Sequence, residues 1–433
     1  MKKKEVFLLI VIAGWAGKVL FVDNLNYQAN DFAPLYVAAQ LIAEGKTAAL
    51  YDHHAYLFNI VPPGVFKETA KQLGFKGIVT PYVHLPLFSF LTRPLLVIPY
   101  GTITKLLLMI NVFAVLLALY LITRLTGTRC NFTWLGAALA ALTFFYPLLY
   151  SLRLGQTTPL VFLGVTALYS VYKTGYPKLS GAILGGIICL KITPLILLVY
   201  FMVKRKWSLV ISSGCTIVVV AITSALVMGW ESNSVFVQRI IQLSGYSLAS
   251  WNNQSLDGFL LRLVTGGLHL YDWHILALPF TINVLKYAVV SLLMVVWLIA
   301  ISAPEKTDDK QELLGFSLTV TLMVVLSPIS WTHYLLFLVF PYLVLLTALI
   351  QNNTVPCRRI MLGGLLLTYP ALALPPSYVL KLVNFPLVNT IPLSVLSSAG
   401  FFGGMLLMAG IFLYTAFTRK INRTADGRSV QVY

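Results

Sequence analysis

Long apolar runs recur through this chain more often than a water-soluble core can use. Crossing about 30 Å of hydrocarbon takes about 20 helical residues. Twelve stretches approach or exceed that length: 6–22, 84–99, 103–123, 132–150, 157–172, 179–203, 207–229, 279–302, 313–329, 332–350, 359–374 and 392–417. Of 433 residues, 58% are hydrophobic and 10% charged, with mean hydropathy +0.84; a typical soluble domain carries about 25% charged residues. The expected fold is all-α and integral to a membrane. It is a single polytopic domain over 1–433, a bundle of about 12 transmembrane helices.

The net charge is +17, from 31 basic and 14 acidic residues. These cations are scattered at the ends of apolar runs and form no stripe, so orientation on a membrane accounts for them and nucleic acid does not. Placing Lys2, Lys3 and Lys4 inside and alternating brings Lys204, Arg205, Lys206, Lys306, Lys310, Arg358, Arg359, Arg419, Lys420 and Arg423 to the same face. Both termini are therefore expected in the cytoplasm, with the chain in the inner (plasma) membrane. The opening MKKKEVFLLIVIAGWAG has the parts of a signal peptide, but the topology closes only if it stays as the first span. Cys130, Cys189, Cys215 and Cys357 show no paired spacing, and CxxC and HExxH are absent, so neither a metal nor a cofactor is expected.

Two polar segments then fall on the outer face, 23–83 and 230–278, each with short amphipathic stretches expected to lie along the interface. All six histidines (His53, His54, His84, His269, His274, His333) lie outside or at the outer edge. So do eight of the fourteen acids: Asp23, Asp31, Glu44, Asp52, Glu68, Glu231, Asp257 and Asp272. Acid–base chemistry has most of its candidates there.

Several residues stand out. Asp31, in NYQANDFAPLY, is placed to act as a base near the membrane surface or to cap the helix that Pro34 opens. His333, in LSPISWTHYLLF beside Trp331, either faces a polar cavity or sits in the aromatic belt. Lys191 lies inside an apolar run, 13 residues before Lys204, or about 20 Å at 1.5 Å per residue. A charge so deep costs at least ~2.5 kcal/mol and calls for a cavity or partner, an anionic headgroup being the natural one. Arg153 and Gln156 form a polar turn in SLRLGQTTP. Alternation puts this turn at the inner face, while a re-entrant path would carry it to mid-membrane. Asn252, Asn253 and Gln254 follow Trp251; they suit sugar hydroxyls and equally a turn and N-cap.

With these residues in place, the chain resembles the polyprenol-phosphate-dependent membrane glycosyltransferases of the GT-C fold, and within them glycosyltransferase family 87, the alpha-mannosyltransferase-like group. The matching pieces are NDFAPLYVAAQLIAEGKTAALYD, PYVHLPLFSFLTRPLLVIP (which opens with Tyr82), LRLGQTTPLVFLGVTAL, GAILGGIICLKITPLILLVYFMVKRKW, NNQSLDGFLLRL and LSPISWTHYLLFLVFP, over about residues 6–350. The resemblance implies a sugar donor linked to a polyprenyl phosphate, a glycolipid or glycan acceptor, and inversion at the anomeric carbon. It maps the general base to Asp31 and donor contacts to His333 and Lys191. Tyr82, Trp331, Arg153, Gln156, Asn252, Asn253 and Gln254 are further substrate-lining candidates. One departure is LKITP, where the family often has proline directly after lysine. The rival class is a transporter or lipid flippase, which a deep lysine and broken spans would also suit.

Overall fold

The computed structural model describes residues 3–51, 61–75, 79–129, 131–302, 309–376, 378 and 392–425. Lys2, Asp52, His53, His54, Cys130 and Lys306 of the residues named above lie outside the described residues. The described chain is predominantly helical, with one two-stranded antiparallel pair. By length and composition six helical segments suffice to cross a membrane: Val6–Asn24, Tyr100–Leu125, Trp207–Gln242, Phe280–Ile301, Thr332–Gln351 and Ala399–Arg419. A seventh results if two short helices bent by 63° at residues 144–145 count as one span. The expected twelve is not reached among the described residues, and the reasons are local.

Helix α1 (Lys3–Leu20) leads into the first polar segment, which carries α2 (Ala33–Ala43) and α3 (Val65–Gln72). The apolar stretch 84–99 does not form one long helix. It divides into α4 (Pro86–Thr92) and a short 3₁₀ turn (Arg93–Val97) because Pro94 and Pro99 interrupt it. These pieces pack on α2, and Tyr36 donates to the Ile98 carbonyl at 3.3 Å. The polar segment therefore extends to residue 99, and the first long span after α1 is α5 (Tyr100–Leu125).

The bent pair follows: α6 (Phe132–Thr143) and α7 (Tyr146–Leu154), with Pro147 in the first turn of α7. Next come α8 (Thr158–Lys173), α9 (Pro177–Leu190), α10 (Leu195–Val203) and α11 (Trp207–Ser244), which is kinked at Gly229. A short antiparallel pair, β1 (Ser247–Leu248) and β2 (Ile275–Leu276), closes the second polar segment around α12 (Leu256–Thr265). The remaining helices are α13 (Phe280–Ile301), α14 (Asp309–Val325), α15 (Val339–Gln351), α16 (Arg358–Ala373), α17 (Leu393–Leu396) and α18 (Ala399–Ala425). A 3₁₀ stretch, Thr332–Leu338, runs into α15.

Hydrogen bonds define two ends of the bundle. At one, Lys173 bonds Asp309 and Glu312, Lys204 donates to the Ile301 carbonyl, Gln351 to that of Thr126, and Arg419 to that of Ala300. At the other, the Asp31 amide donates to the Leu154 carbonyl and the Thr332 amide to that of Asn252. The stretch 179–203 does not cross between them. Pro177 follows Lys173, and Val203 precedes Lys204, so α9 and α10 both have their polar ends at the Lys173 end. They form a re-entrant hairpin with Lys191 at its tip. Glycines make this possible: a Cβ on Gly181 or Gly185 would meet α11 backbone oxygens at 2.2 and 2.6 Å. Small residues four apart let α9 lie directly on α11.

Candidate functional site

The site is assembled where the first polar segment lies on the turn between α7 and α8. Alternation of spans would put that turn at the Lys204 end; instead it packs under Asp31. Gly155 ends α7 in a left-handed conformation (φ 65), and a Cβ there would meet Ala29 Cβ at 2.5 Å. Ala29 is itself left-handed (φ 48), an uncommon state for a residue with a Cβ. Its turn is held by Tyr100, whose hydroxyl donates to the Gln28 and Ala29 carbonyls at 2.9 and 2.8 Å. The Asp31 amide donates to the Leu154 carbonyl at 3.0 Å, so Asp31 is fixed by backbone on both sides of the contact.

Asp31 does not cap α2: the N-cap position is Phe32 and no side chain bonds the helix start. Its carboxylate instead accepts a hydrogen bond from Gln156 Nε2 at 2.6 Å. Burial raises its pKa above the ordinary carboxylate value, while the Gln156 bond and the nearby charge of Lys191 oppose the rise. No cation pairs with it at contact distance among the described residues.

Lys191 approaches the turn between α7 and α8 from the opposite direction and lies within electrostatic reach of Asp31. It follows α9 in extended backbone (φ −155, ψ 120), and residues 191–194 separate α9 from α10. Its Nζ donates to Thr158 Oγ1 at 2.9 Å and lies 4.1 Å from the centre of the Tyr334 ring. Thr158 is the first residue of α8, next to the Gln156 turn, so one turn supplies partners to both Asp31 and Lys191. His84 also lies within electrostatic reach of Lys191.

His333 sits in the 3₁₀ stretch before α15, 3% exposed, with neither ring nitrogen bonded among the described residues. Leaving a buried polar group unmatched costs about 1–3 kcal/mol, and a protein tolerates this where a ligand supplies the bond. Its ring stands 6.3 Å from Tyr150 and 5.0 Å from Tyr334, and Tyr150 stands 6.2 Å from Trp251.

The remaining candidates divide by what holds them. Asn252 accepts the Thr332 amide at 2.7 Å through its carbonyl, and its side chain bonds Tyr150. Asn253 forms a bridge with Trp331 and spends its side-chain amide on Ser247, Leu248 and Ser330. Gln254 is committed to the Trp251 and Ser397 carbonyls and the Phe401 amide. Arg153 donates to Asn24 and covers the Tyr27 ring at 5.0 Å, supporting the base of the first segment. Tyr82 is fully buried, donates to the Leu85 carbonyl and packs 5.7 Å from His84. Arg262 was not anticipated: fully buried, it donates to the Ser250 and Asn253 carbonyls at 2.8 and 2.9 Å and to Ser398. It holds the 250–254 loop in place. A lone arginine amid apolar α12 residues was the only signal available for it.

Residues 82–328, more than half of the chain, match the profile of glycosyltransferase family 87. The chain belongs to glycosyltransferase family 87. It is thus a multi-pass membrane glycosyltransferase of the hexosyl class. Gln156, Lys191 and Asn252 lie inside the matched region, whereas Asp31 and His333 fall outside it. Among similar proteins is a polyprenol-phosphate-mannose-dependent alpha-(1-2)-phosphatidylinositol mannoside mannosyltransferase of Mycolicibacterium smegmatis. It is 26% identical over 310 residues, covering 67% of this chain and 68% of the relative. A polyprenol-phosphate-mannose-dependent alpha-(1-2)-phosphatidylinositol pentamannoside mannosyltransferase of Mycobacterium tuberculosis is 27% identical over 263 residues, covering 60% of this chain and 57% of the relative. No solved structure matches the chain.

Proposed function

We propose that this family member transfers a hexose, mannose-type, from a polyprenyl phosphate to a glycolipid or glycan acceptor of the cell envelope, with inversion and with Asp31 as general base. The reading rests on one observation above all. A buried carboxylate whose one side-chain partner among the described residues is a neutral amide lies within electrostatic reach of a deep lysine, and that lysine within reach of a buried histidine with no hydrogen-bond partner among the described residues. The names of its relatives supply the donor class.

In this reading the acceptor hydroxyl gives its proton to Asp31 as its oxygen forms the new bond to the anomeric carbon. The bond from that carbon to the phosphate oxygen breaks, and polyprenyl phosphate leaves with the electron pair. Phosphate is a good leaving group, so one base suffices and no acid is required. Lys191 faces the charge that develops on the phosphate, and His333 and Thr158 offer hydrogen bonds beside it. A cavity lined by Tyr27, Gln28, Phe75, Tyr100, Thr104 and Lys105 borders the Ala29 turn. Its aromatic and polar groups would suit a sugar headgroup, although Asp31 itself is not part of its lining. By the positive-inside rule the Asp31 end faces away from the cytoplasm and both termini face it.

Purified protein supplied with radiolabelled polyprenyl-phosphate mannose and a mannosylated phosphatidylinositol is expected to move label to the acceptor with inverted anomeric configuration, and to ignore nucleotide sugars. Transfer from a nucleotide sugar would contradict the reading. So would translocation of labelled lipid across a vesicle bilayer without transfer, the behaviour of a flippase.

A further inference from the structure

The second polar segment holds a cluster that the transfer chemistry does not use. His269 Nδ1 lies 3.1 Å from one Asp272 carboxylate oxygen, and His274 Nδ1 lies 2.9 Å from the other. The two imidazole rings are 5.1 Å apart, and one potential ligand atom from each residue lies within 4.8 Å of the others. We infer that His269, Asp272 and His274 form a zinc-class divalent metal site that clasps the loop carrying Trp251 to Gln254.

The donor set decides the class. Two imidazoles and a carboxylate suit zinc and its transition-metal neighbours, whereas calcium and magnesium prefer oxygen alone. Tetrahedral bonds of about 2.0–2.2 Å put donor atoms roughly 3.3–3.5 Å apart; the three donor atoms lie within 4.8 Å of one another, so closing on an ion takes side-chain shifts of at most about 1.5 Å. All three side chains are partly exposed, which leaves an entry path. Three protein ligands leave a fourth position for water.

The cluster is tied to the site by backbone. Leu270, inside the six-residue ligand stretch and fully buried, accepts the Trp251 amide at 2.9 Å. Directly after His274, β2 pairs with β1, which leads into Ser250 and Trp251. Asn252 then carries the order to Thr332, next to His333. A metal at 269–274 would fix both strands of this loop at once.

Tag-free full-length protein in detergent, stripped with a chelator, is to be titrated with zinc chloride by calorimetry, with calcium chloride in parallel. Binding is expected to saturate near one zinc per chain and to raise Tm. Asp272→Asn and the His269→Ala/His274→Ala pair should each bind at least about tenfold more weakly and lose the shift in Tm, while His53→Ala/His54→Ala should bind like wild type. Absence of saturable binding to the wild type would overturn the site. Unchanged binding by Asp272→Asn or by the His269/His274 pair would overturn it too, and equal calcium binding would overturn the zinc class. None of these readouts depends on transfer activity.

Discussion

The two ends of α8 handle charge in opposite ways. At the Lys173 end opposite charges meet directly: Lys173 meets Asp309 at 2.7 Å and Glu312 at 2.9 Å, and Tyr172 donates to Glu312 at 2.8 Å. At the Thr158 end the charges are kept apart. Asp31 is given an amide, Lys191 a hydroxyl and an aromatic face, and His333 no hydrogen-bond partner among the described residues. A closed ion cluster holds helices together. A set of separated charges leaves both the carboxylate and the cation open to a ligand, at some cost in stability.

That contrast can be broken most directly at Asp31. Asp31→Asn is expected to lower kcat about 10³-fold, within the range of a lost general base. Its Tm should not fall. A carboxyl whose folded pKa is raised stabilises the fold most below its unfolded pKa and loses that contribution as pH rises through the folded one. At neutral pH a neutral Asn therefore removes a cost. Thermal melts alongside kinetics check both halves.

Lys191→Met keeps the apolar stem and removes the charge, and is expected to cost about 10²-fold in kcat/KM, as for loss of one transition-state donor. The pH profile sharpens the picture further. With Asp31 as the proposed base, its raised pKa places the loss of activity at low pH above the usual carboxylate range of about 4. The Gln156 bond opposes that rise, so Gln156→Leu should move the acid limb of kcat/KM to still higher pH. At the other end, Glu312→Gln should leave transfer within about twofold and lower stability by up to ~1 kcal/mol, since Lys173 and Glu312 remain partly solvated. A large loss of activity there would erase the distinction between the two ends.

The residues that announced themselves in the sequence were those out of keeping with their surroundings. Asp31 ahead of an apolar helix, Lys191 within one and His333 beside Pro328 and Trp331 are brought to one end of the bundle. Thr158 and Tyr334 went unremarked because hydroxyl and aromatic side chains are ordinary in apolar runs; only the hairpin tip gives them a cation to hold. Counting crossings by length failed at 84–99, which its prolines divide, and at 179–203, where the break at 191–194 reverses the chain. Those two departures cancel, so Arg419 still lies with Lys204 at one end. The amides at 252–254 were legible as polar but not as architecture, since the partners that consume Asn253 and Gln254 lie in distant segments. The short spacing of His269, Asp272 and His274 matches no common ligand pattern, and β1–β2 pairing shapes the loop that gathers them.

We propose that Asp31 takes the acceptor proton beside the donor phosphate. Single-turnover transfer from radiolabelled polyprenyl-phosphate mannose tests it, comparing wild type with Asp31→Asn at equal donor occupancy. The account predicts undiminished donor binding and transfer slower by at least about 10²-fold. Equal rates at equal occupancy would contradict it.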